Sequence, residues 1–296
     1  MTVSVVICTH RRPQVLRRAL QSVVRQTYTD LELVVVDDNG AGTETQKQTE
    51  AVVSDYPIAA YCVNSTNLGQ AASLNIGINS AHGELISFLD DDDEFHPDKL
   101  AKQVARLRAT GASGVYCNYE QEVGGKPYYV SRHTTGCDEG NLTRDMLLCT
   151  KQIYAGSTLL LRRAALEDVG GFDERFKRHV DTSFLISFFR RHKLALCEET
   201  LVTIHIGDSL WGVDPRLLFE AKCLLFSVFE QDIERLGEDA MREIYLVHWS
   251  CLYLHCLQKG LFRLALQSLI SSVKNGRLDI PKLLRATASA ARHAFE

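Results

Sequence analysis

The sequence lacks the features that mark secreted, membrane-spanning, zinc-binding and nucleic-acid-binding proteins. Its nine cysteines stand singly, without a Cys-x-x-Cys pair, which argues against a zinc site or a thioredoxin motif. No run reaches the ~20 apolar residues that a membrane-spanning helix requires, and no signal-peptide pattern is present. A net charge of -4 gives no basic stripe for nucleic acid. We expect a cytoplasmic protein, with docking at the inner face of the membrane left open.

Two glycine motifs that bind phosphates are also missing. No Gly-x-Gly-x-x-Gly follows the first predicted strand, and no Gly-x-x-x-x-Gly-Lys-[Ser/Thr] occurs anywhere in the chain. A dinucleotide fingerprint and a P-loop are therefore unsupported. A phosphate-bearing ligand would need a divalent cation between its oxygens and the acidic side chains described below.

Apolar runs of strand length alternate with helix-like segments through the first part of the chain. The predicted strands cover residues 3–8, 31–36, 58–63 and 85–89. Later residues predict strands at 115–119, 156–161, 194–196 and 201–206, a hairpin from 115–119 to 128–130, and a helix at 183–191. The alternation predicts an α/β fold with a doubly wound sheet.

The pattern changes near residue 213. Apolar residues recur at helical spacing over residues 217–228, 241–257 and 261–273, and residues 282–293 could form a fourth helix. We therefore predict a sheet domain over residues 1–212 and a helical region over residues 213–296. Its apolar stripes suit packing on the sheet domain or on another copy of the chain. Lys282, Arg285 and Arg292 favour the alternative, docking on a membrane surface.

Four consecutive aspartates, Asp90–Asp93, follow the fourth predicted strand directly. A second acidic pair, Asp37-Asp38, follows the second strand. Because ligands bind at the carboxyl ends of the strands in open α/β sheets, both sets are expected at one crevice. Adjacent carboxylates raise each other's pKa unless a cation lies among them. The alternative is a solvated acidic loop, although a strand before the run and a helix after it argue against that interpretation.

Several motifs in order resemble the family 2 glycosyltransferases with the GT-A fold, over about residues 1–210. The matching segments are Val3-Ser-Val-Val-Ile with Arg12, Gln26-Thr-Tyr through Asn39, Asn67-Leu-Gly with Asn75 and Gly77, Gly83 through Asp93, Pro97-Asp-Lys-Leu100 and Gly170-Gly-Phe-Asp-Glu174. The resemblance implies a GT-A-type doubly wound mixed sheet with a C-terminal α-helical appendage.

The resemblance also implies roles for individual residues. Asp38 would bind the uracil ring, with Thr9 and Arg11 lining the same pocket. Asp90 would lie near the ribose, and Asp92 would hold Mn²⁺ or Mg²⁺ between itself and the diphosphate, with His205 nearby. Further contacts to the nucleotide sugar would come from Asn67, Gln70 and Asp91.

The general base that the resemblance implies is Asp181. The family carries an acidic pair after Gly-Gly-Phe-Asp-Glu, normally Glu-Asp, whereas this chain has Val180-Asp181. The base is therefore present but its neighbouring carboxylate is not. The alternative role for Asp181 is that of N-cap to the helix predicted from residue 183.

We expect an inverting, metal-dependent glycosyltransferase that moves one sugar from a UDP-sugar to a glycan or lipid-linked acceptor in surface polysaccharide biosynthesis. Processive synthesis is disfavoured because no Gln-x-x-Arg-Trp occurs. A sugar nucleotidyltransferase would need a glycine-rich loop after the first strand, which Cys8-Thr-His-Arg-Arg12 does not provide. Because Val180 replaces the glutamate that the family normally carries, a second class of function stays open: a non-catalytic nucleotide-sugar sensor or assembly subunit.

Overall fold

The structure, a computed structural model, describes residues 1–56, 59–207 and 214–274. The chain divides into two compact units. The first contains residues 1–142 and 153–210, and the second contains residues 143–152 and 211–296. The predicted boundary between residues 212 and 213 falls outside the described residues, so it stays a prediction.

The first half of the sheet has the predicted doubly wound order. Its strands are β1 (Val3–Thr9), β2 (Leu31–Asp37), β3 (Ala59–Val63) and β4 (Leu85–Asp90). They lie parallel in the order β3-β2-β1-β4. The intervening helices are α1 (Pro13–Val24), α2 (Glu44–Val53) and α3 (Gln70–Ser80). Residue 58 of the third predicted strand lies outside the described residues.

The second half makes the sheet mixed. The elements are β5 (Glu94–Phe95), α4 (Lys99–Thr110), β6 (Gly114–Val123), β7 (Lys126–Val130), α5 (Thr143–Leu148), α6 (Ala155–Thr158), β8 (Leu160–Arg162), α7 (Arg163–Val169), α8 (Val180–Phe189) and β9 (Leu194–Ile206). Beyond β4 the strand order continues β8-β6-β9-β5, and β7 pairs with β6. β8 runs antiparallel to both β4 and β6, whereas β6 and β9 are parallel. The mixed α/β class predicted from the sequence is confirmed.

Three predicted elements differ from the structure. Residues 156–161 do not form one strand, because residues 155–158 form the short helix α6 and only Leu160–Arg162 pair in the sheet. The two closing strands are one long strand, β9, whose pairing with β6 shifts register near Cys117 and Asn118. Helix α8 begins at Val180 rather than at residue 183. The predicted hairpin is present as β6 and β7.

The second unit is helical, as the apolar stripes predict. It contains α5 together with α9 (Pro215–Val228), α10 (Glu230–Glu234), α11 (Glu238–Gln258) and α12 (Phe262–Lys274). Phe226 packs between Tyr245 and Trp249, with ring centroids 4.4 Å and 5.5 Å away. Residues 282–293, where a further helix is predicted, lie outside the described residues. None of the described helices is both long and apolar enough to cross a membrane.

Helix α3 packs directly on the sheet at Gly77. A Cβ atom on Gly77 would lie 2.3 Å from Cγ1 of Val6 and 3.2 Å from Cγ2 of Val36. Both valines are buried, and they belong to strands that pack on both faces. Only a residue without a side chain therefore lets α3 approach β1 and β2 this closely.

We predict that Gly77→Ala lowers the free energy of unfolding by about 1–3 kcal/mol, because overpacking outweighs the better helix propensity of alanine. Urea denaturation of the purified protein measures the change. Asn79→Ala, at an exposed position of the same helix, is the matched control and should leave the midpoint unchanged. An unchanged or raised midpoint for Gly77→Ala would contradict this account of the packing.

Candidate active site

The carboxyl ends of β1, β2 and β4 meet at one edge of the sheet, and most of the predicted site residues follow those ends. In the parallel ladders Cys8 lies opposite Asp90, and Thr9 lies opposite Asp37. The strand order reverses at β1, and open α/β sheets bind ligands at such a switch point. The structure thus brings the two acidic segments to one edge, as predicted.

Asp38 is buried and organises the loop in front of α3. Its carboxylate accepts hydrogen bonds from the backbone N–H groups of Leu68 at 2.7 Å and Gly69 at 2.9 Å. The side-chain amide of Asn64 donates to it at 2.8 Å. Asn67 Nδ2 lies 3.3 Å from the Asp38 carbonyl oxygen. Asp38 and Asn67 are therefore neighbours, and their contact with a nucleotide stays a prediction.

Arg11 stands beside this loop with an exposed side chain. Its backbone has a φ of 61°, a left-handed conformation that is uncommon for a residue with a side chain. The backbone N–H of Arg11 donates to Oδ1 of Asn39 at 2.6 Å. This turn fixes the backbone direction after β1, immediately before Arg12.

Arg12, which the sequence reasoning did not select as a site residue, supplies positive charge to the acidic run. Its guanidinium forms ion pairs with Asp91 through one terminal nitrogen and with Asp92 through the other. Thr9 Oγ1 donates to the remaining oxygen of Asp91 at 2.6 Å. Burial raises the pKa of Asp91 to about 7, although Arg12 and Thr9 act in the opposite direction. Both oxygens of Asp91 are thus engaged by the protein itself.

Asp90 keeps partial exposure and contacts two other elements. Gln70 Nε2 donates to its Oδ1 at 3.3 Å. Gly156 lies so close that a Cβ atom there would be 2.5 Å from Oδ2 of Asp90. Desolvation in this pocket raises the pKa of Asp90 well above its ordinary value, and the charges of Asp93 and Asp181 raise it further. Asp90 and Asp181 therefore belong to one electrostatic site.

Asp93 is held from two sides. Ser157 Oγ donates to its Oδ2 at 2.5 Å and accepts the backbone N–H of Asp90 at 3.2 Å. The backbone N–H of His205 also bonds to the Asp93 carboxylate. Burial, followed by the charge of Asp92, raises the pKa of Asp93 to about 8. The carboxyl groups of Asp91 and Asp93 are thus each held by two donors from other parts of the chain.

His205 meets the acidic run through its backbone, whereas its imidazole lies between two glutamates. Nε2 is 3.7 Å from Glu94, and Nδ1 is 3.7 Å from Glu122. Nε2 is buried and makes no hydrogen bond to another described residue. The proposed role of this ring as a metal ligand stays a prediction.

Asp181 completes the pocket from the first turn of α8. Its Oδ2 accepts the backbone N–H of Ala155 at 3.0 Å, and the N–H of Gly156 bonds to the same carboxylate. Burial raises the pKa of Asp181 to about 6 against the effect of these two donors. Because His179 is the N-cap residue of α8, the N-cap interpretation of Asp181 is wrong.

A buried polar network holds the segment that carries Ser157. Lys99 Nζ donates to Ser87 Oγ at 2.9 Å and to Gln103 Oε1 at 2.8 Å. Gln103 Nε2 in turn donates to the Thr158 carbonyl at 2.8 Å. Burial lowers the pKa of Lys99 to about 8. The spacing of Lys99 and Gln103 on one helix face was visible in the sequence, but the burial of a lysine was not.

The acidic run offers the carboxylate oxygens that a divalent cation shared with the phosphates of a ligand would need. Its oxygen donors suit Mg²⁺ and Mn²⁺, and Mg²⁺ is usually held by one or two carboxylates plus substrate phosphates. Within the described ranges, no group of three or more His, Cys, Asp or Glu side chains could hold a metal. Burial, and after it the charges of neighbouring aspartates, raises the pKa values of Asp90 and Asp93, and a cation among these carboxyl groups would favour their ionised forms.

We predict that Arg12→Met lowers the free energy of unfolding at neutral pH by about 3–5 kcal/mol, because it leaves the buried charge of Asp91 without its partner. Thermal and urea denaturation measure the loss. Arg17→Met, in the helix α1 that follows Arg12, is the matched control, since Arg17 forms an exposed pair with Asp55. The control should show no measurable change. Equal effects of the two substitutions would contradict a special role for Arg12.

Comparison with known proteins identifies the family of the chain. The family model described as glycosyl transferase family 2 matches residues 4–170, more than half of the chain. The uncharacterized glycosyltransferase RP339 of Rickettsia prowazekii is 26% identical over 207 residues. That match covers 69% of this chain and 64% of the relative, so the chain spans less than two thirds of that relative's length. The putative colanic acid biosynthesis glycosyl transferase WcaA of Escherichia coli is 37% identical over 99 residues, 33% of this chain and 35% of the relative.

Solved structures support the fold. The crystal structure of S. aureus TarS 1-349 in complex with UDP-GlcNAc has a TM-score of 0.61 to this chain, at 17% identity, and the match covers 93% of both chains. A structure of the same protein in complex with UDP has a TM-score of 0.60, at 17% identity, and the match covers 99% of this chain and 92% of that one. At this identity the similarity shows a shared GT-A-like fold. The family model, which matches more than half of the chain, shows that the chain belongs to glycosyl transferase family 2.

Proposed function

We propose that the protein is an inverting, metal-dependent glycosyltransferase that moves one sugar from a UDP-sugar to a glycan or lipid-linked acceptor. The observation that carries the proposal is the position of Asp181. Its carboxylate, whose pKa is about 6, shares one pocket with the run Asp90–Asp93. A base and a set of acids suited to a diphosphate–metal complex are then within one site, as sugar transfer from a nucleotide requires.

Names of related proteins support the choice of substrates. TarS binds UDP and UDP-GlcNAc, and WcaA is named for colanic acid biosynthesis. A UDP-hexose or UDP-N-acetylhexosamine as donor, and a surface polysaccharide or its lipid-linked precursor as product, are therefore the proposed substrate classes.

In the proposed reaction an acceptor hydroxyl attacks the anomeric carbon while Asp181 removes its proton. The new bond joins the acceptor oxygen to the anomeric carbon, and the bond between that carbon and the diphosphate oxygen breaks. UDP leaves with the bonding electron pair. Attack from the face opposite the diphosphate inverts the anomeric configuration. A base with a pKa of about 6 is ionised at neutral pH and still basic enough to accept the proton.

Asp92 is the proposed side-chain ligand for Mn²⁺ or Mg²⁺, with His205 as the second candidate. The cation would neutralise the charge that develops on the departing diphosphate. Asp38, Thr9, Arg11, Asn67 and Gln70 are the proposed contacts to the nucleotide sugar, because they lie around the same sheet edge. Asp90 completes this set next to Gln70.

A non-catalytic nucleotide-sugar sensor or assembly subunit is the second candidate function. Val180 stands where the family carries a glutamate, and its side chain is buried. The two functions differ in UDP release from a UDP-sugar in the presence of Mn²⁺. Release that depends on Asp181 supports the transferase, whereas binding without release on any acceptor supports the sensor.

We predict that Asp181→Asn lowers kcat by about 10²–10⁴-fold while UDP binding persists, because the amide cannot accept the proton. Since the carboxylate form is the active one, wild-type kcat should fall as pH drops below about 6. UDP release measured from pH 5 to pH 8 tests both points. Asp168→Asn, which removes a surface carboxylate paired with Arg191, is the control and should leave kcat unchanged. Full activity in the Asp181→Asn variant would refute the assignment.

We predict that Asp92→Asn abolishes the Mn²⁺-dependent part of UDP binding, because the carboxylate is the proposed ligand to the shared cation. Calorimetric titration of UDP with and without Mn²⁺ measures it. Asp55→Asn is the control, since Asp55 forms an exposed ion pair on the surface. Undiminished Mn²⁺-dependent binding in the Asp92→Asn variant would show that the metal site lies elsewhere.

A further inference from the structure

The hairpin of β6 and β7 carries exposed apolar side chains at the edge of the sheet. The exposed fraction is 47% for Tyr129 and 42% for Tyr128, and the flanking Val123 and Val130 expose 46% and 41%. Successive side chains of a strand point to opposite faces, so Tyr128 and Tyr129 lie on opposite sides of β7. The exposed ring of Tyr129 is therefore a candidate contact for a ligand.

A series of tyrosine rings connects this hairpin to the acidic pocket. The ring of Tyr129 lies 6.1 Å from that of Tyr119, centroid to centroid, and Tyr119 meets Tyr154 edge to face at 4.9 Å. Tyr119 is buried, so it supports the two outer rings. Gln121, which pairs with Tyr129 across the strands, donates a hydrogen bond to the Tyr154 hydroxyl at 2.9 Å.

Tyr154 lies beside the proposed general base. The next residue, Ala155, donates its backbone N–H to Asp181 at 3.0 Å. Burial and the charges of Asp93 and Asp181 together raise the pKa of Tyr154 to about 12. The tyrosine series thus begins at solvent, on Tyr129, and ends next to the carboxylate that would take the acceptor's proton.

We propose that Tyr129 and Tyr154 form the binding site for a pyranose ring of the acceptor. This inference rests on the function proposed above. One face of a pyranose presents C–H groups, which carry weak positive charge, and an aromatic ring presents a negative face to them. Polar groups such as Gln121 stand among the rings, as a ligand with both hydroxyl groups and an apolar face requires.

Charge on the hairpin argues against an anionic lipid surface as the occupant. Over residues 114–130 the chain carries Glu120 and Glu122 but only one basic residue, Lys126. Binding to anionic lipid needs clusters of lysine and arginine. Continuity with the acidic pocket, through Tyr119 and Tyr154, favours the acceptor sugar instead.

The test measures UDP release by the full chain with Mn²⁺ and a panel of donors: UDP-glucose, UDP-galactose and UDP-GlcNAc. Methyl α- and β-glycosides of glucose, galactose and N-acetylglucosamine serve as acceptor probes. At least one should raise UDP release above hydrolysis in the wild type. Tyr129→Ala should raise the KM for that glycoside about three- to tenfold, with kcat and hydrolysis of the donor unchanged. Tyr129→Phe, which keeps the ring, should stay within about twofold of the wild type.

Phe262→Ala is the matched control, because Phe262 is an exposed aromatic residue (71%) of the helical unit. It should change neither KM nor kcat. An unchanged KM in Tyr129→Ala, or donor hydrolysis that no glycoside stimulates, would overturn the acceptor site and leave the proposed function standing. Absence of UDP release with every donor would overturn the proposed function and this inference with it.

Discussion

The burial of four carboxyl groups at one sheet edge is the constraint on which the rest of the structure depends. Burial raises the pKa values of Asp90, Asp91, Asp93 and Asp181, so the folded state favours their protonated forms. For Asp91, Asp93 and Asp181 the stability that the group contributes is complete below its unfolded pKa of about 4, and is lost as pH rises through the folded values of about 6–8. At neutral pH the fold therefore carries an electrostatic cost, which its buried parallel strands must offset. A ligand that brings positive charge to this edge is bound more strongly for the same reason.

The side chains and N–H groups that contact these carboxyl groups come from distant parts of the chain. This explains how much of the site the sequence could predict. The acids were predictable because each set follows its strand directly, and parallel strands present their carboxyl ends at one edge. The partners of these acids were not predictable. Arg12 lies about eighty residues before Asp92, and Ala155, which donates to Asp181, belongs to a different helix. No local pattern distinguishes Arg12 from Arg11, although one forms two ion pairs and the other is exposed. Pairing of this kind is set by tertiary structure alone.

The same dependence explains where the predicted elements differ from the structure. Residues 156–161 have the composition of a strand, but Gly156 must lie against the Asp90 carboxylate and Ser157 must reach Asp93. A helical turn satisfies both, because it also directs the N–H groups of Ala155 and Gly156 at Asp181. Two strands were predicted at residues 194–196 and 201–206, yet β9 continues through the residues between them with a shift in register. Elements with long apolar periodicity, such as β1, β2 and α11, needed no such information.

The residues proposed to bind the donor and those proposed to bind the acceptor lie in two different parts of the first unit. In the proposed reaction the aspartates at the ends of β2 and β4 would bind the donor, and the tyrosines on β6, on β7 and directly before α6 would bind the acceptor. The two parts share one peptide unit, since Tyr154 precedes the residue whose N–H holds Asp181. Tyr154 thus directly precedes one of the two N–H donors that lower the pKa of Asp181. Residues farther out on the hairpin, such as Tyr129, have no bond of this kind to the base. In the proposed reaction, substitution of Tyr129 would therefore change acceptor binding without altering proton transfer, whereas substitution of Tyr154 would affect both.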